Sequence, residues 1–192
     1  NRKSGDAGMK YDQAQVRIHE AYTVAIRDLG VHGEGIGSVD GFTVFVPGAL
    51  PGETVTAEIT LLKKSYAVGK LLSIEQESPF RTMPECPVYE HCGGCQLSHL
   101  TYEGQLDMKY RRVKDVIERI AGESGKLVRP VLPAAHPFAY RNKMAVPAGL
   151  VKGEAALGCY RQGSHDIIPV SSCAIQKEEN NRLLQFARRF IE

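Results

Sequence analysis

Cys86, Cys92 and Cys95 fall within one short stretch, Cys86-Pro-Val-Tyr-Glu-His-Cys92-Gly-Gly-Cys95, spaced C-x5-C-x2-C. A fourth thiol, Cys173, stands far downstream in Ser171-Ser-Cys173-Ala-Ile-Gln. Thiolates bunched in one loop with a distant partner suit a soft metal centre, because the loop wraps the centre and the remote cysteine closes it. Gly93 and Gly94 let the backbone between Cys92 and Cys95 turn tightly. A two-residue gap between ligands is common to zinc and iron–sulfur sites, but zinc ligands usually come two and two. Three clustered plus one remote favours a [4Fe-4S] cluster on Cys86, Cys92, Cys95 and Cys173. The alternatives are a disulfide or idle thiols. The odd cysteine count permits one pair, yet no secretory signal heads the chain, so reduced thiols and a cytoplasmic setting are expected. His91 and His99 flank the loop and are alternative donors, although a histidine beside a thiolate cluster more often supports ligands than joins them. Cys159 lies inside an apolar strand pattern and reads as a small buried hydrophobe.

The elements that must position these thiols divide the chain. With 192 residues, 43% hydrophobic and 24% charged, it has room for one large or two small domains of ordinary globular composition. The net charge of +2 does not by itself signal a nucleic-acid partner; local patches must do so. No apolar run is long enough to span a membrane. The expected organisation is a polar tail over 1–15, a small β-barrel over 16–75 and an α+β domain over 76–192 that carries the cysteines.

In the barrel region, Tyr22–Ile26, Phe42–Val46, Thr54–Leu61 and Tyr66–Ile74 read as strands. Thr54 and Thr56 alternate with Val55 and Ala57, giving one wet and one dry face. Gly30, Gly33, Gly35 and Gly37 suggest tight turns and bends, and Pro47-Gly48 and Pro51-Gly52 mark turns. Short strands with many bends predict a closed, OB-like barrel. Gly33-Glu-Gly35-Ile-Gly37 is not a dinucleotide fingerprint. Lys63 and Lys64 beside Tyr66 offer positive charge and a stacking ring to a nucleic acid, or simply a solvated hairpin.

Further on, Arg81 precedes the cysteine loop, where it could donate to sulfur, reach a phosphate or lie on the surface. Leu106, Tyr110, Val113, Ile117 and Ile120 form a helical stripe, with Thr101 as N-cap and Gly122 as stop, expected to pack on the sheet that follows. The basic residues along that helix, interspersed with acids, read as a solvated face. Tyr140–Val146, Ala155–Tyr160 and Asp166–Val170 read as antiparallel strands. On the first, Arg141 and Lys143 share a face, suited to gripping a phosphate or to a structural salt bridge. Residues 178–192 read as a helix with Leu183, Phe186, Ala187 and Phe190 on one face.

Several of these words occur together in a known family. Cys86…Cys92-Gly-Gly-Cys95-Gln-Leu, Thr101-Tyr-Glu-Gly-Gln-Leu and Tyr140-Arg-Asn-Lys143 resemble the RNA (uracil-5-)-methyltransferases of the bacterial 23S rRNA type. Gly35-Ile-Gly37, Asp40-Gly41-Phe42 and Val44-Phe-Val-Pro-Gly-Ala-Leu-Pro-Gly52 resemble its TRAM domain, an OB-like barrel that binds RNA. The resemblance, from about Tyr22 to Cys173, implies ribosomal RNA as partner and S-adenosylmethionine as methyl donor of the full enzyme. It also implies a separate catalytic domain, in which a cysteine adds to C6 of a uracil taken out of its stack. No glycine-rich cofactor fingerprint and no nucleophile context for such a cysteine is legible here. The chain is therefore expected to be the RNA-binding and cluster-binding portion of such an enzyme, inactive alone. Two other readings are a stand-alone RNA-binding module braced by a metal, and an iron–sulfur electron carrier.

Overall fold

A computed structural model describes residues 16–191 of the chain. It is α+β and divides into two compact units, Asn1–Pro79 and Phe80–Glu192. The expected tail over 1–15 lies outside the described residues.

The first unit is one six-stranded sheet. Its strands are β1 (Ala21–Ala25), β2 (Asp28–Leu29), β3 (Gly35–Val39), β4 (Phe42–Val46), β5 (Thr54–Leu62) and β6 (Tyr66–Gln76), in the order β1-β5-β6-β4-β3-β2. Every pairing is antiparallel except β4 with β6. The long pair β5 and β6 carries register shifts that bend it, and the sheet curls until β3 packs on β1. The alternation in β5 lands as its residues dictate: Val55, Ala57 and Ile59 are fully buried, while Thr54 and Thr56 are only partly covered. These join Val16, Val24, Ile26, Val44, Val46, Ala49 and Ala67 in the core. Each large aliphatic side chain so buried contributes about 1.5–3 kcal/mol.

Glycines 35 and 37 depart from the expected turns. They lie within strand β3 rather than between strands. A Cβ on Gly37 would stand 2.4 Å from Val24 Cγ1 and 2.6 Å from the Ala25 carbonyl oxygen. The glycine is there because two backbones meet, not because the chain bends. Among the described residues of this unit one carboxylate is buried: Glu53, 1% exposed, accepts from the Leu50 N–H at 2.8 Å and the Ser78 N–H at 3.3 Å.

The second unit holds helix α1 (Tyr102–Arg119), a 3-10 turn (Gly125–Leu127), a three-stranded antiparallel sheet in the order β7 (Ala148–Val151), β8 (Glu154–Tyr160), β9 (Ile167–Pro169), and helix α2 (Glu178–Ile191). Thr101 caps α1 as expected, its Oγ1 accepting from the Gly104 N–H at 3.2 Å. The helix ends at Ile120, ahead of Gly122, which has φ +70°.

Three expectations fail in this unit. The α1 stripe does not settle on the sheet: Leu106, Tyr110 and Ile117 are half-buried, Val113 is exposed and Ile120 is 80% exposed. The helix packs against the 3-10 turn instead, and it is α2 that packs on β8. On α2, Leu184 is the buried residue, while the expected face of Leu183, Phe186, Ala187 and Phe190 is exposed. Residues 140–146 form no strand beyond an isolated parallel bridge between Arg141 and Gln176. The missing strand is β7, joined to β8 by the tight turn at Lys152 and Gly153, both at positive φ.

Candidate metal centre and nucleic-acid interface

The cysteine loop is a run of turns held by its own backbone. Tyr89 N–H donates to the Cys86 carbonyl at 3.1 Å, Cys92 N–H to the Val88 carbonyl at 2.9 Å, and Gly94 N–H to Cys92 Sγ at 3.4 Å. Its base is anchored by Tyr89, whose hydroxyl bonds the Gln96 carbonyl and Nδ1 of the buried His99. His99 is thus a strut for the loop, and His91 is exposed. Arg81, at an antiparallel bridge with Leu100, is close enough for its charge to act on Tyr89.

Cys173 arrives from the other end of the unit. Asn181 on α2 clamps its backbone from both sides, accepting from the Cys173 N–H at 2.8 Å and donating to its carbonyl at 3.2 Å. The segment just before β7 is tied to the same region: Arg141 N–H donates to the Ile175 carbonyl and Lys177 N–H to the Arg141 carbonyl, both at 2.9 Å.

All five cysteines are free and half-buried. Burial raises the Cys95 thiol above its ordinary range, a hydrogen bond from Ser98 opposes this, and Cys173, Cys92 and Cys86 raise it further. Cys159 is pushed up to about 12, by burial first and then by Cys92, Cys173 and Cys86. The charges of Cys92, Cys173 and Cys86 thus act on Cys95 and also on Cys159, read from the sequence as a core filler. Strand parity could say which way Cys159 points but not that the cysteine loop lies opposite.

Among the described residues, no three His, Cys, Asp or Glu side chains are set to hold a metal ion. A tetrahedral zinc would draw its sulfurs to about 3.8 Å from one another, given Zn–S bonds of about 2.3 Å. A polynuclear core holds its outer thiolates farther apart, with iron and sulfide between them. Sulfur donors from two distant segments are the donor chemistry of that kind of group, but the described residues do not bring three of them into position to hold one. Crowded, half-buried thiols disfavour their own ionisation; a cationic core reverses that balance.

The candidate nucleic-acid residues are dispersed. In the first unit, Lys63 and Lys64 are exposed on the hairpin between β5 and β6, closed by the Lys63 N–H to the Tyr66 carbonyl at 2.8 Å. Tyr66 is half-buried with its ring edge-on to Phe45, centroids 5.4 Å apart. In the second unit, Arg141 and Lys143 are exposed on a loop, not on the strand face expected of them. Their backbone is nonetheless fixed, since the Lys143 carbonyl accepts from Gln176 Nε2 at 3.2 Å and the Arg141 carbonyl from Asn180 Nδ2 at 3.3 Å.

Residues 15–72 match the TRAM domain. Along 92% of its length the chain is 48% identical to an uncharacterised RNA methyltransferase of Bacillus cereus, covering 38% of that protein. Over the same share of the chain it is 41% identical to a counterpart in Halalkalibacterium halodurans and 42% to one in Clostridium acetobutylicum, each covered to 39%. The chain thus spans about two-fifths of the relatives it matches. A Pyrococcus abyssi tRNA (uracil-54, C5)-methyltransferase, solved with S-adenosyl-L-homocysteine, shares the fold, with a TM-score of 0.62 at 23% identity over 88% of this chain and 36% of that one. No helix among the described residues is long and apolar enough to cross a membrane. Residues 15–72 are thus a TRAM domain, in a chain that along nearly its whole length is similar to about two-fifths of proteins named as RNA methyltransferases.

Proposed function

We propose that the chain is the RNA-binding and [4Fe-4S]-binding portion of a cytoplasmic, S-adenosylmethionine-dependent methyltransferase that modifies uracil C5 in 23S rRNA. The observation that carries this reading is the 48% identity, along 92% of the chain, to a protein named as an RNA methyltransferase. Uracil C5 as the target draws support from the shared fold with a uracil-C5 enzyme.

The division of labour follows from the residues. The TRAM unit offers Lys63 and Lys64 to phosphates and the ring of Tyr66 to a base. Arg81, Arg141 and Lys143 extend the cationic contacts in the second unit, the last two from a backbone fixed against 175–177. Cys86, Cys92, Cys95 and Cys173 would hold the cluster, and when bound it supplies a rigid cross-brace between the loop and the start of α2. The thiol left over, Cys159, is half-buried and pushed up to about 12 by that burial, which disfavours the thiolate needed to add to C6 of uracil. These 192 residues alone are therefore inactive, and radiolabelled S-adenosylmethionine should leave no methyl group on RNA.

Gel-shift titrations against fragments of 23S rRNA and against transfer RNA test the substrate. Tighter binding to 23S fragments is expected; preference for transfer RNA overturns that assignment, and no binding at low salt overturns the RNA role. Anaerobically prepared protein should contain about four iron and four acid-labile sulfide per chain. Cys92→Ser should cost both cluster and fold of the second unit. An intact fold with undiminished RNA affinity in that variant would point to electron transfer instead.

A further inference from the structure

The register of β3, β4 and β6 assigns each of their residues to the inner or the outer face of the first unit's sheet. Gly37, Val44 and Ala67 lie opposite one another across the three strands, and all are buried. The rows on either side of them therefore point outward: Ile36, Phe45 and Val68 in one, Ser38, Thr43 and Tyr66 in the other. All six are half-buried. The large ones, Ile36, Phe45, Tyr66 and Val68, neither belong to the buried core nor pack against it. Leu61, opposite Val68 on β5 and 41% exposed, extends the apolar row. An outward apolar band of this kind marks a contact surface.

Its rims are cationic. At one end of the Ser38-Thr43-Tyr66 row the exposed Arg27 donates from Nη2 to Ser38 Oγ at 2.7 Å, a neutral partner that leaves the guanidinium its charge. At the other end the Lys63 N–H closes the hairpin on the Tyr66 carbonyl at 2.8 Å, with Lys64 next in the chain. That row contains no acid, whereas Asp28 stands opposite Ile36 at the head of the neighbouring one. Two strand spacings, about 10 Å, separate Ser38 from Tyr66. The perpendicular rings of Phe45 and Tyr66 hold each other in place beside this row.

We propose that this outer face is a platform for single-stranded RNA, with unpaired bases stacked on Phe45 and Tyr66 and the phosphates running from Arg27 along Ser38 and Thr43 to Lys63 and Lys64. The inference rests on the RNA-binding reading above and adds Phe45, Arg27 and the kind of RNA to it. A duplex keeps its base faces inside its own stack, whereas a loop or bulge presents them to the two rings.

The test uses the full chain and a fluorescein-labelled oligouridine of about 12 nucleotides, compared with the duplex it forms with oligoadenosine. Fluorescence anisotropy is titrated at several salt concentrations for wild type, Phe45→Leu, Arg27→Gln and Lys126→Gln, the last an exposed cation of the second unit. Phe45→Leu keeps an apolar side chain without the ring and should weaken binding about tenfold. Arg27→Gln should make the slope of log affinity against log salt shallower by about 0.7. Lys126→Gln should match wild type, and the duplex should bind about tenfold more weakly than the single strand. Irradiation with a bromouridine oligonucleotide should cross-link Phe45 or Tyr66. Wild type that binds neither RNA at low salt overturns the RNA-binding reading and the platform together. Wild type that binds, with Phe45→Leu and Arg27→Gln unchanged or with cross-links only in other segments, leaves the RNA role standing and overturns the platform. Tighter binding of the duplex, or an equal loss in Lys126→Gln and Arg27→Gln, also overturns it. Circular dichroism checks the fold; should Phe45→Leu fail to fold, the exposed Arg27→Gln and the cross-link decide.

Discussion

Glu53 illustrates how one polar residue can be costly to lose. Its carboxylate is buried and receives the Leu50 and Ser78 N–H groups. Glu53→Ala leaves those donors without this acceptor in a dry site, so destabilisation of about 2–4 kcal/mol is expected in urea unfolding. A subtler case lies at the surface. The Tyr22 hydroxyl donates to Glu20 at 2.6 Å, and this hydrogen bond, with Arg17 nearby, holds the Glu20 carboxyl below its ordinary range. A depressed carboxylate stabilises the fold above its unfolded pKa and loses that contribution as pH falls through the folded value. Tyr22→Phe should therefore melt below wild type at neutral pH, with the gap closing once the pH falls below the Glu20 value. A gap that does not narrow as the pH is lowered would show that the hydroxyl acts otherwise.

Elements set what the residues can reach. Strand β3 passes so close to β1 that position 37 has no space for a methyl group: the nearest backbone atom, the Ala25 carbonyl oxygen, would be 2.6 Å away. Gly37→Ala should force the strands apart and cost about 3 kcal/mol, read as an earlier unfolding midpoint of the TRAM unit. Wild-type stability would mean that β3 can shift without penalty. The helices make the complementary point. Both have an apolar stripe at the right spacing, yet α1 leaves Ile120 exposed and α2 buries Leu184 rather than the face of Phe186 and Phe190. Periodicity identifies a stripe; it does not identify what covers it. Capping is different in kind. Thr101 was legible because its partner, the Gly104 N–H, is three residues away.

For the whole molecule, the functional question is whether its modest charge suffices for RNA. The net charge is only +2, so the proposed RNA binding calls for local cations, and Lys63 and Lys64 are the pair to test. Each phosphate contact contributes about 0.7 to the slope of log affinity against log salt on single-stranded RNA. Removing both lysines should make that slope shallower by about 1.4 and weaken binding most at low salt. An unchanged slope would clear the hairpin of any contact.

Much of this was determined by the sequence alone, wherever the physics is local. The C-x5-C-x2-C spacing, the alternation in β5 and the Thr101 cap depend on neighbours a few residues away, and they hold in the folded chain whatever else surrounds them. The tertiary structure decided what depends on partners distant in sequence. It set Cys92 and Gly93 against Arg161 and Tyr160 at the end of β8, and Asn181 as the clamp on Cys173. It also turned Tyr140–Val146 into a loop pinned by 174–177 and gave the third strand to Ala148–Val151. Strand and helix periods tell which way a side chain points; only the closing of the chain on itself decides what it meets there.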